Sequence, residues 1–236
     1  MRKLDQFFKR TMIISPHGDD EVLGCGGLIA RILSEVEDSE VKILLFSTGD
    51  IFNESQVKVT AESRAEEFYD MTDFYRKSTR GKISGEILFP GMELNLESVG
   101  MMRSVSTLDN KISEFNPTAV LTCYASHHQD HQFVCNATIA ALRPTPYDNV
   151  VFKSMYEYGY YEAWNPMNQV KMSKVYIDIS DYVDIKVKAF ECYQSQQKAH
   201  PRDLLLSDNI RKYAQFRGLE CGVSYAEVLF PLTIRI

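Results

Sequence analysis

Short apolar runs alternate with longer segments of helical periodicity along the first half of this chain, and no other feature restricts its fold as strongly. The runs have the length of buried strands, and each intervening segment is long enough for a helix that crosses back over a sheet. Because parallel strands need such crossover connections, the pattern predicts an α/β fold. The predicted strands are 11–15, 41–48, 86–90 and 118–124, and the predicted helices are 21–35, 60–76 and 98–115.

The second half of the chain is less regular but continues this alternation. It contains no internal repeat, and 236 residues fall in the range of one α/β domain. We therefore expect a single domain over 1–236 with a Rossmann-like, doubly wound and mostly parallel sheet, whose ligands bind beyond the carboxyl ends of the strands. The remaining predicted elements are a helix at 130–142, strands at 150–155 and 174–179, a helix at 182–194 and a closing strand at 224–232.

Charge and hydropathy argue against several classes of protein. The net charge is -6, so the chain lacks the excess of Lys and Arg with which a protein binds a nucleic-acid backbone. Charged residues interrupt each apolar stretch near the N-terminus, which argues against a secretory signal, and no window approaches the length of a membrane span. We therefore expect a cytoplasmic protein with no nucleic-acid partner and no membrane span.

The five cysteines form no CxxC pair, and their odd number favours a reduced protein over a disulfide framework. Because free Cys is among the most buried residue types, we expect each to be a small buried hydrophobe. These residues are Cys25, Cys123, Cys135, Cys192 and Cys221.

The segment SPHGDDEVLGCGG follows the first predicted strand and leads into a helix, which places its polar residues at the expected ligand crevice. His17 and Asp20 lie three residues apart on one turn, and imidazole nitrogen and carboxylate oxygen both suit zinc or iron. Asp19 and Glu21 add further acidic groups. Alternatively, Asp19 or Asp20 caps the helix by accepting N–H bonds from its first turn, a role that one carboxylate would fill. Because one histidine and three acidic residues lie together on this turn, a metal site is favoured over a simple helix cap.

A second polar cluster, SHHQDHQ at 126–132, follows the fourth predicted strand and also belongs at the carboxyl edge of the sheet. It holds three of the five histidines, which argues against isolated packed side chains. Together the two clusters supply the three ligands of an open catalytic metal site, namely His17, Asp20 and a histidine such as His131. The glycines of GCGG do not match GxGxxG, so a dinucleotide site is weakly supported, and we expect them to allow close helix packing.

Both clusters resemble the motifs of a known family. SPHGDDEVLGCGG closely resembles the HPDDE-type motif, and HQDH the HPDH-type motif, of the LmbE-like or PIG-L family of metal-dependent N-deacetylases. Gly18 stands where the family usually has proline. Further similarity lies in Arg64 and Glu67, in KAFECYQSQ from Lys188 and in RGLECGVSYAE from Arg217. The resemblance therefore spans most of the chain.

The resemblance implies both an activity and a set of roles. The ligands of a zinc ion, with Fe2+ as the alternative, would be His17, Asp20 and His131. Asp19 would act as general base, His128 would serve as general acid, and Asp130 would orient a histidine. The reaction would remove an acetyl group from the amide nitrogen of an N-acetyl amino sugar, a sugar nucleotide or a related small glycoside. The partner is thus a small molecule, and the sequence leaves a homo-oligomer open.

Four further residues are candidates for binding this substrate. Arg64 would hydrogen-bond a hydroxyl or phosphate through its fork of donors, although an ion pair with Glu67 at i,i+3 is the alternative. Glu93, near the end of the third predicted strand, would bind a substrate hydroxyl. Family members can place a tyrosine two residues before the first histidine of the second motif, where this chain has serine. His127 or Tyr124 would then supply the missing oxyanion donor.

Other functions fit parts of this pattern. A metal-binding module without turnover would need neither Asp19 nor His128, and a nucleotide-binding Rossmann-like module would need a glycine-rich phosphate loop. The segment 155–164 holds four tyrosines and the single tryptophan. Aromatic faces suit sugar rings, but core packing in a half-buried strand is the simpler expectation for this segment.

Overall fold

A computed structural model describes residues 4–53, 56–144, 147–157, 172–199 and 207–236 of the chain. Its strands are β1 (Arg10–Ser15), β2 (Glu40–Leu45), β3 (Ile51–Asn53), β4 (Gln56–Val59), β5 (Lys82–Ile87), β6 (Ala119–Cys123), β7 (Phe152–Tyr156), β8 (Val175–Asp178) and β9 (Ala226–Ile234). Its helices are α1 (Asp20–Glu35), α2 (Ala61–Ser78), a 3-10 helix (Leu96–Val99), α3 (Met101–Phe115), α4 (Gln129–Ala141), α5 (Val183–Phe190), α6 (Gln194–Ala199) and α7 (Ser207–Cys221).

One mostly parallel sheet organises the described residues. Its strand order is β5-β2-β1-β6-β7-β9-β8, and β9 runs in the opposite direction to the other six strands. From β1 the chain proceeds outward to β2 and β5 and then returns to β6 on the other side of β1. The strand order therefore reverses between β1 and β6, and the crevice at their carboxyl ends is the expected ligand site of a doubly wound fold. The predicted α/β fold is confirmed.

The central strands are buried because helices cover both faces of the sheet, as parallel sheets require. Every residue of β6 is buried, and Met12, Ile13 and Ile14 of β1 are completely enclosed. Full burial of an apolar side chain of this size contributes about 1.5–3 kcal/mol. The strands that end at the crevice are thus the most firmly packed part of the fold, which gives the residues that follow them a rigid base.

The third strand lies earlier in the chain than the predicted 86–90. β5 is an edge strand in which polar residues alternate with apolar ones, so it lacks the continuous apolar run of a central strand. At Gly85 a side chain would collide with α2, because a Cβ there would lie 2.7 Å from the Phe68 ring. The apolar run after the strand still pairs locally, since the Phe89 N–H donates to the Phe46 carbonyl at 2.8 Å.

The C-terminal half also differs in detail from the prediction. The helix predicted at 182–194 is two helices, because α5 ends at Phe190 and α6 begins at Gln194. The hairpin of β3 and β4 and the whole of α7 were not predicted. Only Ile210, Ala214 and Gly218 of α7 are buried, and so narrow a stripe is a weak periodic signal.

All five cysteines are free, but the expectation that each is buried was wrong for two of them. Cys25, Cys123 and Cys135 are buried, whereas Cys192 is half-buried and Cys221 is exposed. Cys192 lies two residues after the end of α5, and Cys221 is the last residue of α7. None of the described helices has both the length and the apolar character that a membrane crossing needs.

α1 is broken one and a half turns after its start, and a buried ion pair caps the break. Cys25 has φ −145° and ψ 23°, which interrupts the helix. Lys186 Nζ donates to the Leu23 carbonyl at 2.7 Å and pairs with Glu227 at 2.6 Å. The Glu227 carboxylate accepts the N–H groups of Gly27 and its successor, each at 2.8 Å. The pair therefore replaces the helical bond from residue 27 to residue 23 that the break removes.

The glycines of the GCGG motif pack closely, as the sequence predicted. A Cβ at Gly24 would lie 2.1 Å from the Tyr156 ring, and one at Gly27 would lie 2.7 Å from Ile179. Small residues therefore let the broken helix approach β7 and the segment after β8.

We expect Glu227→Ala to lower the free energy of unfolding by about 3–5 kcal/mol, because it leaves a buried, uncompensated charge on Lys186 and two unsatisfied N–H groups. Urea unfolding monitored by circular dichroism measures this. Asp73→Ala is the control, since it removes the exposed ion pair with Arg76 and should change stability by less than about 1 kcal/mol. Equal changes in the two variants would contradict the capping role of Glu227.

Candidate metal centre and active site

The turn after β1 does not use its carboxylates as helix caps. Asp19 occupies the position before the first residue of α1, yet its side chain makes no capping hydrogen bond. The Asp20 Oδ2 atom instead accepts the backbone N–H of His17 at 3.1 Å. The alternative interpretation of this turn, a capped helix and nothing more, was therefore wrong. Asp20 thus contacts His17 and not the first turn of the helix.

The turn after β6 is built around His128. This residue precedes α4, and its Nδ1 atom accepts the backbone N–H of Asp130 at 3.2 Å. The Ser126 hydroxyl oxygen accepts the backbone N–H of His128 at 3.1 Å. The local sequence thus fixes the ring of His128 at the start of the helix that carries His131.

The two turns meet at one carboxylate oxygen. Asp20 Oδ2 lies 3.3 Å from His17 Nδ1 and 3.2 Å from His131 Nε2, and all three side chains are buried. Ring nitrogens of His17, His128 and His131 lie within 4.8 Å of one another. The other oxygen of Asp20, Oδ1, is buried without a hydrogen-bond partner among the described residues. A buried set of imidazoles around an unsatisfied carboxylate fits a divalent cation.

Asp130 contacts the far side of the His17 ring. Its Oδ2 atom lies 3.0 Å from His17 Nε2 and also accepts the backbone N–H of Leu94 at 2.7 Å. A carboxylate on the second nitrogen of a histidine fixes the ring orientation and its tautomer, as is common around metal ligands. The histidine that Asp130 contacts is thus His17, on the other strand end, and Leu94 is a contributor that the sequence did not indicate.

The electrostatics of the site favour positive charge near His17 and Asp20. Burial lowers the pKa of His17, but hydrogen bonds to Asp130 and Asp20 outweigh it and raise that pKa to about 10. Burial raises the pKa of Asp20, but His131 and His17 hold it below its usual value. Burial raises the pKa of Asp19, and the charges of Asp20 and Glu21 raise it further. A field that binds a proton this firmly also favours a metal ion.

The protonation of His128 distinguishes it from the other two histidines. A neutral imidazole has one nitrogen that accepts and one that donates. Because Nδ1 of His128 accepts the Asp130 N–H, the ring proton lies on Nε2. Burial, followed by the charges of His17 and His131, lowers the pKa of His128 to about 4. Although the three histidines are close enough to form a set, this arrangement makes His128 a hydrogen donor and favours Asp20 as the third ligand.

Arg64 and Glu93 contact each other at the edge of the crevice. Arg64 is buried, and its Nη1 atom donates to the Gly49 carbonyl at 3.0 Å and pairs with Glu93. The predicted alternative, an ion pair of Arg64 with Glu67 on the helix surface, was wrong, since Glu67 instead accepts from the N–H and the hydroxyl of Ser195. Tertiary contacts, not helical spacing, select the partners of both groups.

The two candidate oxyanion donors differ in environment. His127 is exposed beside the site. Partial burial lowers its pKa, and the charge of His131 lowers it further. Tyr124 is buried, with its ring 5.5 Å from that of Phe230, which is the contact of a packed aromatic residue. In the aromatic segment, Tyr156 is buried in β7, as expected for core packing, and residues 158–164 lie outside the described part of the chain.

A buried pair beside Asp19 completes the site. Glu21 Oε1 accepts the Tyr193 hydroxyl hydrogen at 2.5 Å, and its Oε2 accepts the Asp19 N–H at 3.3 Å. Burial raises the pKa of Glu21 to about 7, although the Tyr193 hydrogen bond opposes the rise. Tyr193 was not among the residues predicted from the sequence to form the site. Its position in the KAFECYQSQ segment was the signal that could have found it.

Comparison with known protein families covers the part of the chain that contains both polar turns. The PIG-L family, described as GlcNAc-PI de-N-acetylase, matches residues 12–142, which is more than half of the chain and includes both polar turns. The chain belongs to this family. A comparison with curated protein sequences found no match.

Solved structures share the fold of this PIG-L family member over nearly its whole length. Teicoplanin deacetylase Orf2 in a zinc-inhibited form is 19% identical, with 94% of this chain and 97% of that chain covered and a TM-score of 0.73. The N,N'-diacetylchitobiose deacetylase of Pyrococcus horikoshii is 21% identical, with 96% and 84% covered and a TM-score of 0.69. A 4-carboxy-2-hydroxymuconate hydratase of Pseudomonas putida KT2440 is 17% identical, with 97% and 98% covered and a TM-score of 0.71. At these identities, the likeness shows the fold alone.

Proposed function

We propose that this PIG-L family member is a metal-dependent N-deacetylase that removes an acetyl group from the amide nitrogen of an N-acetyl amino sugar, a sugar nucleotide or a related small glycoside. The observation that carries the proposal is the convergence of His17, Asp20 and His131 at the strand-order reversal, with Asp19 and His128 beside them. Metal binding alone would need neither of the last two residues, so their placement favours an enzyme over a binding module.

The proposed metal ligands are His17, Asp20 and His131, with zinc as the cation and Fe2+ as the alternative. Two imidazoles and one carboxylate form a set that suits either ion and leaves room for the substrate. When bound, the ion would polarise the amide carbonyl and lower the pKa of a water molecule. Asp130 would hold the His17 ring in place through the contact at 3.0 Å.

Asp19 is proposed to accept the proton of the attacking water. The Asp19 carboxylate makes no capping hydrogen bond to α1, and Asp19 directly precedes Asp20 in the chain. A general base needs a carboxylate held close to the reacting water. The charges of Asp20 and His17 both act on the Asp19 carboxylate, which supports a position beside the proposed ligands.

His128 is proposed to protonate the leaving amine. Its Nδ1 atom accepts the Asp130 N–H, so the neutral ring carries its hydrogen on Nε2. Proton transfer to the amine requires the imidazolium form, in which Nδ1 also carries a hydrogen and gives up the bond from Asp130. The Nε2 proton then passes to the amine and leaves a neutral ring. The ring lies 4.9 Å from that of His17 and 5.1 Å from that of His131, centre to centre. A donor at this position can reach the nitrogen of an amide whose carbonyl faces the ligands.

Arg64, Glu93, His127 and Tyr124 are proposed to bind the substrate. Arg64 and Glu93 present a guanidinium and a carboxylate that can share hydrogen bonds with sugar hydroxyls. Of the two oxyanion donors, His127 is exposed at the site and is therefore the more accessible to a substrate, whereas Tyr124 is buried. Two structural neighbours are named as deacetylases of teicoplanin and of N,N'-diacetylchitobiose, which supports a sugar-type substrate.

A panel of N-acetylated sugars and sugar nucleotides, assayed for released primary amine, tests this function. Metal content is measured in the same preparations after zinc or Fe2+ is supplied. We expect amine release that depends on the metal and is lost with a chelator. A protein that is fully loaded with metal and releases no amine from any member of the panel would contradict the proposal and favour a binding module.

The two adjacent histidines should respond differently to substitution. We expect His128→Ala to keep the metal and lower kcat by about 100-fold to 10,000-fold, because it removes the proton donor. His127→Ala should cost about 10-fold to 100-fold if it supplies one oxyanion bond. Steady-state rates and metal content of both variants measure this. A silent His128→Ala beside an inactive, metal-loaded His127→Ala would reverse the assignment.

A further inference from the structure

The backbone of Asp19 adopts a conformation that residues with a side chain rarely occupy. Its φ is 121° and its ψ is −34°. Glycine adopts a positive φ easily, but position 19 is an aspartate, for which this conformation is unfavourable. Such a conformation persists only where the surrounding contacts enforce it. The contacts of Asp19 therefore show which residues hold the proposed base in place.

Two sets of hydrogen bonds hold this backbone. The carbonyl of Asp19 accepts the N–H groups of Val22 and Leu23 at 3.0 and 2.8 Å, which starts α1. On the other side, the Asp19 N–H donates to Glu21 Oε2, and Glu21 Oε1 accepts the Tyr193 hydroxyl. Glu21 and Tyr193 are almost completely buried. Loss of the Tyr193 hydroxyl would therefore leave a buried carboxylate oxygen short of a partner.

Gly18 makes room for the tyrosine. A Cβ on Gly18 would lie 3.0 Å from Cε1 of the Tyr193 ring, which is closer than ordinary packing allows. A side chain at position 18 would therefore press on the ring. The glycine before Asp19 and the tyrosine far along the chain are thus matched to each other.

The segment that carries Tyr193 is itself anchored. The Tyr193 N–H donates to the Phe190 carbonyl at 2.9 Å, which ties it to the end of α5. Two residues later, the N–H and the hydroxyl of Ser195 both donate to the Glu67 carboxylate of α2. The hydroxyl that reaches Glu21 therefore comes from a fixed position, and its loss would not be replaced by a neighbouring group of that segment.

We propose that Tyr193 is a positioning residue, whose hydroxyl acts through the Glu21 carboxylate to hold the Asp19 backbone in its unusual conformation. This inference rests on the proposed role of Asp19 as the base. Without the hydroxyl, the Glu21 carboxylate turns toward other donors and releases the Asp19 N–H. The metal ligands keep their own contacts, so metal affinity stays while the geometry of the base is lost.

Tyr193→Phe and Tyr75→Phe form a matched pair of variants. Each deletes one buried hydroxyl that contacts α1, but the Tyr75 hydroxyl binds the Gly26 carbonyl at 2.8 Å, beyond the break in the helix. We expect Tyr193→Phe to lower kcat by about 10-fold to 100-fold, the usual effect of losing a supporting contact, with KM and metal content unchanged. Tyr75→Phe should stay within about twofold of the wild type in kcat.

Amide hydrogen exchange of Asp19 in the metal-free protein provides a readout that does not depend on activity. We expect its exchange to be at least about tenfold faster in Tyr193→Phe, because the N–H loses its buried acceptor, and unchanged in Tyr75→Phe. Gly18→Ala should reproduce the loss in kcat, and the Gly18→Ala, Tyr193→Phe double variant should lose less than the product of the two.

Equal kcat in the two tyrosine variants, together with an equally protected Asp19 amide, would overturn the proposal. If the wild type deacetylates no substrate, the proposed function fails separately, and the exchange measurement still decides whether Tyr193 holds the Asp19 backbone.

Discussion

Replacing His131 with alanine is expected to abolish metal binding and, with it, deacetylation. His131 is buried on α4, and its Nε2 atom lies 3.2 Å from the Asp20 carboxylate, so no solvent-exposed group can take its place. Mutation of a residue that merely supports a metal ligand lowers metal affinity by about 10-fold to 100-fold. Loss of a ligand itself should lower the affinity by more than this. We expect the fall in both affinity and kcat/KM to be more than about 100-fold.

Elemental analysis and titration of the metal-free protein with zinc measure this effect. Asn136→Ala is a suitable control, because Asn136 is exposed on the same helix and is not among the proposed ligands. Urea unfolding of the metal-free proteins separates a loss of metal from a loss of fold. If His131→Ala binds zinc as tightly as the control does, the ligand set proposed for this site is incorrect.

Asp19→Asn is expected to keep the metal and lower kcat by about 100-fold to 10,000-fold, the usual contribution of a positioned base. Asparagine preserves the shape of the side chain but cannot accept the proton. It also tolerates positive φ better than most residues, so it should suit the backbone at φ 121°.

Asp20→Asn provides the comparison for this variant. Asp20 supplies the carboxylate oxygen between His17 and His131, and its replacement should weaken metal binding, unlike the replacement of Asp19. Rates and metal content are measured in parallel. Equal loss of metal in both variants would show that the division between base and ligand is incorrect.

The fold by itself does not select this chemistry. The shared architecture includes a structure named as a hydratase as well as structures named as deacetylases. Function must therefore be argued from the residues at the carboxyl edge of the sheet.

Periodicity and local motifs were enough to predict the core of the architecture. The strands that became β1, β2 and β6 are mostly buried, so each contains a short apolar run that the sequence shows. β5 was misplaced because an edge strand meets solvent and loses that signal, and α7 was missed because it buries only a narrow stripe. Sequence patterns predict an element well when burial dictates its composition.

The sequence by itself determined which two turns carry the polar chemistry and that both lie at the carboxyl edge of a doubly wound sheet. It did so because strand patterns and the positions of His, Asp and Glu are local properties of the chain. Only the tertiary structure decided the partners: Asp130 with His17, Arg64 with Glu93 and Tyr193 with Glu21. These contacts join residues 29 to 172 positions apart. Helical or strand periodicity carries no information at such separations, because the distance between two side chains then depends on how the whole sheet and its helices pack.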